Sequence, residues 1–271
     1  MTTKKIKVKE NLELNVFDSA SERSYDNDLT VVFIHGAGTG SLLNWKYQLD
    51  YFSQKYRTIA YDWRGCGKSD RPRSYTFDEH YQDFLTLMKA LKISEKPILV
   101  GHSYGCLIAR RYISEYPVGK FVNVSLGLSS IEEGLLKKLL KLPKFFQIPL
   151  YRGFYLFRNP LFAKRLVASK NTPLGLVRAS MKGNKRPPIN FFLGLKTFCQ
   201  DEPLEWIKNY QEKMLIIGGE EDRCFRPDYL EKLKKMIPQA SLEIIPDAGH
   251  IVPFEAPERF NRLLENFIER D

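Results

Sequence analysis

Ser103 stands in Gly101-His102-Ser103-Tyr104-Gly105, between an apolar run, Pro97-Ile98-Leu99-Val100, and the helix-compatible stretch from Cys106 to Ile113. A strand, Gly-x-Ser-x-Gly and a helix make a sharp turn that lifts the serine hydroxyl clear of a sheet edge. Such a turn holds its serine in a sparsely populated backbone conformation. It also needs missing side chains at 101 and 105, where a Cβ is expected to strike the helix behind the turn. The chemistry that follows is nucleophilic attack.

A serine hydroxyl is a poor nucleophile until a base takes its proton. Of the four histidines, His35 and His102 lie in glycine-rich loops, and His102, beside the nucleophile, is expected to point away from the site. His80 falls in the first turn of a helix and reads as exposed and inert. His250, in Asp247-Ala248-Gly249-His250-Ile251-Val252-Pro253, is the candidate base. Its second ring nitrogen needs a carboxylate to fix the tautomer. Gly218-Gly219-Glu220-Glu221-Asp222 supplies three; Asp222, just past the turn, is favoured over the two glutamates, and Asp247 lies too near His250 in the chain for a good approach. An oxyanion would need two backbone N–H donors. Tyr104 offers one with the turn itself, and Ala37, in His35-Gly36-Ala37-Gly38, is the expected second.

Around these residues the apolar pattern alternates. Lys5–Lys9 and Leu12–Phe17 have period two and read as an antiparallel edge pair, while Thr30–Ile34, Arg57–Tyr61, Lys120–Leu128, Lys213–Ile217 and Ser241–Ile245 read as buried strands. Helical periodicity fills Leu42–Lys55, Phe77–Lys92 (with Thr76 as N-cap and Glu79 completing the box), Pro227–Met236 and Pro253–Glu269. The expected fold class is α/β: a mostly parallel eight-stranded sheet with helices on both faces. The alternation stops between Ser130 and Asn209, where helical fragments are broken at Pro143, Pro149, Pro160, Pro173 and Pro187-Pro188. The expected organisation is a core of 1–129 plus 210–271, with 130–209 as a helical cap over the C-terminal edge of the sheet.

Of the 271 residues, 42 are Lys or Arg and 32 Asp or Glu, a net charge of +10. The excess is local. From Ser130 to Gln200 fourteen Lys and Arg face only Glu132 and Glu133, a net of +12, which leaves the remainder at −2. This segment also carries Leu135-Leu136, Leu139-Leu140, Phe145-Phe146 and Phe154-Tyr155-Leu156-Phe157. It reads either as a plain substrate cover or as a lid that meets an anionic membrane surface and admits an acyl chain. Nucleic-acid binding would not explain a complete catalytic set. No stretch approaches the roughly 18 apolar residues of a membrane span, and no signal-peptide pattern opens the sequence. Cys66, Cys106, Cys199 and Cys224 are scattered, without CxxC spacing or metal-like clustering with the histidines, which suits a reduced, cytoplasmic setting with at most peripheral membrane contact. Asn123-Val124-Ser125 matches a glycosylation triplet inside a strand-like run and is discounted.

Taken together, His35-Gly36, Asp62-x-Arg64-Gly65-x-Gly67-x-Ser69, the serine turn, Asp222 and Gly249-His250 with Pro253 resemble the α/β-hydrolase superfamily over nearly the whole core. The resemblance implies the α/β-hydrolase fold, a Ser103–Asp222–His250 triad, an oxyanion loop at His35-Gly36, a structural loop from Asp62 to Ser69, and no cofactor. Trp45-Lys46-x-Gln48-Leu49-Asp50-x-Phe52 and the Val-Gly-His-Ser-Tyr-Gly turn are similar to the abhydrolase domain-containing protein 8 group. Many family members place proline four residues after the acid, where this chain has Arg226, with Pro227 one later. The serine separates the chain from haloalkane dehalogenases and epoxide hydrolases of the same fold, which use aspartate. The expected activity is hydrolysis of a carboxylic ester, lipid-like or with an apolar acyl group, through an acyl-enzyme. The alternatives are a receptor or scaffold without turnover, and a carbon–carbon bond hydrolase.

Overall fold

A computed structural model describes residues 2–36, 44–93, 96–127, 206–207 and 210–270. Within them eight strands form one sheet: β1 (Lys4–Lys9), β2 (Leu12–Asp18), β3 (Thr30–Ile34), β4 (Arg57–Tyr61), β5 (Ile98–His102), β6 (Lys120–Val124), β7 (Met214–Gly219) and β8 (Ala240–Ile245). Their order across the sheet is β1-β2-β4-β3-β5-β6-β7-β8. The pairings β1–β2 and β2–β4 are antiparallel and the rest are parallel.

Side chains alternate across the sheet, so each parallel strand feeds two cores. Val32, Ile34, Leu99, Phe121 and Ile216 pack on one face with α2 (Phe77–Ala90), α3 (Tyr104–Glu115) and α4 (Pro227–Met236). Val31, Phe33, Val100, Val122 and Ile217 pack on the other with α1 (Lys46–Phe52) and α6 (Pro257–Glu269). Burial on both sides is why these strands read as continuous apolar runs.

Several boundaries differ from the sequence reading. The strand begun at Lys120 stops at Val124, because Ser125 turns the chain with φ of 52°. β7 runs on to Gly219, since both glycines continue the ladder, opposite Ile244 and Ile245. Among the described residues of the stretch predicted as Leu42–Lys55, a helix spans Lys46–Phe52. The last is two pieces, α5 (Val252–Glu255) and α6, broken at Ala256, which leaves the helical region (φ of −134°, ψ of 58°) ahead of Pro257. The Thr76–Glu79 capping box is present as expected.

β6 and β7 are neighbours in the sheet although nearly ninety positions separate them in sequence. The proposed cap falls in that interval, and all of it except Trp206 and Ile207 lies outside the described residues. Arg110 of α3 joins the two described ends of the interval. Its guanidinium donates to the carbonyls of Leu126 (3.1 Å) and Gly127 (3.4 Å) and lies 5.0 Å from the Trp206 ring. Asn123 is buried, takes a bond from Arg110 (2.9 Å) and donates to Leu126, which agrees with discounting it as a glycosylation site.

Candidate active site

Ser103 links β5 to α3 with φ of 50° and ψ of −120°. Its amide donates to the Val124 carbonyl of β6 (2.8 Å), and its carbonyl accepts from Cys106 (2.9 Å), so both sides of the turn are tied down. The flanking glycines are required for two different reasons. A Cβ at 101 would come within 2.7 Å of the Cys106 backbone in α3, as expected. A Cβ at 105 would strike the Ile34 carbonyl of β3, so that collision is with the neighbouring strand and not with the helix.

The candidate base and acid come from the turns after β8 and β7. His250 Nδ1–H donates to Asp222 Oδ2 at 2.9 Å. Asp222 is 2% exposed, and its other oxygen accepts the amides of Cys224 (2.7 Å) and Phe225 (2.9 Å). That arrangement aims the carboxylate and fixes the His250 tautomer, leaving Nε2 as the acceptor nitrogen. Glu220, Glu221 and Asp247 are all exposed, whereas Asp222 is the buried carboxylate that meets His250. Arg226, where many family members have proline, precedes Pro227 in the first turn of α4, and the Asp222 turn keeps both of its amide bonds.

The two turns are stitched together by backbone. Glu220 N–H donates to Ile245 and Glu221 N–H to Ala248, both at 2.9 Å. A Cβ at Gly219 would collide with the Ala248 and Gly249 carbonyls, so only glycine lets the strands end this close. Glu255 then braces the His250 loop by accepting the amides of Gly249 (3.1 Å) and Ile251 (3.0 Å). Gln48 of α1 donates to the Pro253 carbonyl at 2.9 Å.

His102 does point away from the serine, and it has a task. Its Nε2–H donates to the His250 carbonyl at 2.8 Å, tying the base loop to the residue before the nucleophile. Burial pushes its pKa down to about 3, so the ring is neutral. His35 is buried too: Nδ1–H donates to the Gly36 carbonyl (2.8 Å), Nε2 accepts from Trp63 N–H (3.3 Å), and the ring stacks on Trp63.

The reading of His80 as exposed is wrong. It is 3% exposed, 3.2 Å from the Tyr104 hydroxyl and packed among Trp63, Tyr75 and Tyr104, and burial lowers its pKa to about 3. It sits on the flank of the apolar stripe of α2, where periodicity is ambiguous. The Asp62–Ser69 loop is structural, as the resemblance implied. Asp62 accepts from Asn15 (2.8 Å) and the Lys68 amide (3.0 Å), and Arg64 pairs with both Asp83 oxygens at 2.6 Å.

Tyr104 opens α3, and the N–H groups of a helix's first turn point out of its end, toward where an anion would sit. Ala37 lies outside the described residues.

A family model described as the alpha/beta hydrolase fold matches residues 30–257. The chain belongs to that family. This α/β hydrolase is 27% identical over 250 residues to the putative 2-succinyl-6-hydroxy-2,4-cyclohexadiene-1-carboxylate synthase of Bacillus subtilis, covering 88% of this chain and 89% of that one. It is 28% identical over 252 residues to bovine (Bos taurus) protein ABHD8, covering 89% of this chain but only 56% of the relative. Among solved structures, a thermophilic esterase from Thermogutta terrifontis superposes with a TM-score of 0.78 at 20% identity, covering 99% and 98% of the two chains, a likeness of fold. No helix among the described residues is long and apolar enough to cross a membrane.

Proposed function

We propose that this α/β hydrolase is a serine hydrolase that cleaves a carboxylic ester, lipid-like or with an apolar acyl group, through an acyl-enzyme intermediate. The observation that carries the reading is the strained Ser103 turn together with a His250 whose Nδ1–H is committed to a buried Asp222 and whose carbonyl is held by His102, the residue before Ser103. In this reading His250 Nε2 takes the Ser103 proton as Oγ attacks the ester carbonyl. Asp222 supports the imidazolium. The Tyr104 amide, with Ala37, holds the oxyanion, each donor contributing about 3 kcal/mol in the transition state. Collapse expels the alcohol, which takes its proton from His250, and water repeats the sequence to free the acid.

The test pairs a fluorophosphonate probe with acyl esters of rising chain length. Labelling at Ser103 together with turnover supports the proposal. Labelling without turnover of any ester points to the carbon–carbon bond hydrolase, and absence of both points to a receptor or scaffold.

A further inference from the structure

Cys224 lies two residues past Asp222, in the turn whose amides hold that carboxylate. Its sulfur, an Asp222 oxygen and a ring nitrogen of His250 lie within 4.8 Å of one another. The sequence separates His250 from the other two; the pairing of β7 with β8 brings it to them.

Thiolate, imidazole and carboxylate are the donors zinc takes, at about 2.3 Å from sulfur and about 2.0–2.2 Å from nitrogen or oxygen. Around a tetrahedral ion such donors stand roughly 3.3–3.8 Å apart. His250 Nδ1 and Asp222 Oδ2, at 2.9 Å, stand slightly closer than two ligands of one ion, and the Cys224 sulfur lies within 4.8 Å of an Asp222 oxygen and a His250 ring nitrogen. Asp222 and His250 are buried while Cys224 is half-buried, so the cluster has one reachable side. A thiolate and a carboxylate together neutralise a divalent ion, which removes the penalty of leaving net charge in a buried place. The other described cysteines are unsuited. Cys66 is buried with its thiol pushed up to about 12, and Cys106 is buried with its S–H directed to the Gly101 carbonyl (3.0 Å).

We propose that Asp222, Cys224 and His250 form an inhibitory binding site for a thiophilic divalent cation of the zinc class. On binding, the Cys224 thiol releases its proton to solvent and its sulfur donates a lone pair to the ion. Coordination at His250 Nδ1 replaces the bond to Asp222 and moves the ring proton to Nε2, which then donates and can no longer take the serine proton. Coordination at Nε2 consumes the lone pair that would take the serine proton. Either geometry removes the base, reversibly.

Cobalt(II) titration of the Ser103→Ala protein, which keeps all three donors, tests the site without turnover. A saturable one-to-one thiolate-to-cobalt charge-transfer absorption, displaced by zinc, is expected. It should vanish when Cys224→Ala or Cys224→Ser is added; the serine variant guards against a folding defect. In the active protein zinc should inhibit ester hydrolysis, a chelator should restore it, and Cys224→Ser should need at least about tenfold more zinc, each protein being normalised to its own metal-free rate. The inhibition rests on the serine hydrolase reading, whereas the absorption does not. A cobalt band in a protein that turns over no ester would sink that reading and leave the site standing. No band in Ser103→Ala, or a band that survives loss of Cys224, would overturn the site.

Discussion

Ser103 carries two separable burdens, strain and, in the proposed mechanism, chemistry. Its φ of 50° costs a non-glycine residue on the order of 1–3 kcal/mol, held in place by the bonds on either side of the turn. Ser103→Ala removes the proposed nucleophile but keeps a Cβ, so ester turnover should fall below one per cent while the melting temperature stays nearly constant. Ser103→Gly should be as inactive yet melt higher, because glycine adopts this conformation freely. Calorimetry of the two variants reads the strain apart from the chemistry, and equal melting temperatures would mean the turn is unstrained. At the acid, Asp222→Asn should lower kcat by about 10⁴ through loss of tautomer control. Glu221 is exposed, so Glu221→Gln should change kcat little. A reversal of those two results would assign the acid to Glu221.

The elements that present the site meet where glycines allow close approach. Gly105 lets α3 start directly against the end of β3, with no room between its Cα and the Ile34 carbonyl. The obstruction is backbone in a central strand and cannot swing aside as a side chain could. Gly105→Ala should therefore destabilise the protein by about 1–3 kcal/mol, the usual range for overpacking, and misplace Ser103. Fluorophosphonate labelling at a temperature where the variant is still folded should be slowed at least tenfold. Wild-type labelling would show that β3 and α3 can move apart without disturbing the nucleophile.

Across the whole molecule, two buried neutral histidines make stability depend on acid. His80 and His102 both have pKa values near 3 when folded, against about 6.5 in an unfolded chain. Between those values the unfolded state binds protons that the native state does not, so stability falls as pH is lowered through that window. The slope is about 1.4 kcal/mol per pH unit for each histidine, flattening below about pH 3. Urea unfolding from pH 6 to pH 4 should show this loss, and His80→Gln should make it shallower by one proton; an unchanged slope would mean that His80 charges in the native state. The basic segment bears on the molecule's surroundings. Its net +12 charge and clustered leucines and phenylalanines lead us to propose attachment to anionic lipid, at about 1 kcal/mol per nearby Lys or Arg. Sedimentation with phosphatidylserine vesicles but not neutral ones is expected, weakening with salt. Exchanging Lys137, Lys138 and Lys141 for glutamate should abolish it; equal binding to both vesicles, or to neither, would leave a plain cover.

What the sequence determined by itself was whatever a backbone constraint writes into residue type. The Ser103 turn needs Gly101 and Gly105, a strand buried on both faces needs an apolar run, and a capped helix start needs the Thr76–Glu79 pair, so fold class, candidate nucleophile and most elements were legible. Asp222 could be ranked above Glu220 and Glu221 by its place in the turn. Only tertiary structure shows which of them meets His250, by burying Asp222 against that ring and two backbone amides and leaving the others in water. His80 was misread because a residue on the flank of an amphipathic stripe is buried or exposed according to what packs beside it, here Trp63 and Tyr104. The tie from His102 to the His250 carbonyl and the meeting of Cys224 with the candidate base were invisible for the same reason. Each depends on which strands lie side by side. Strand order is set by the packing of the whole sheet, and no single residue type encodes it.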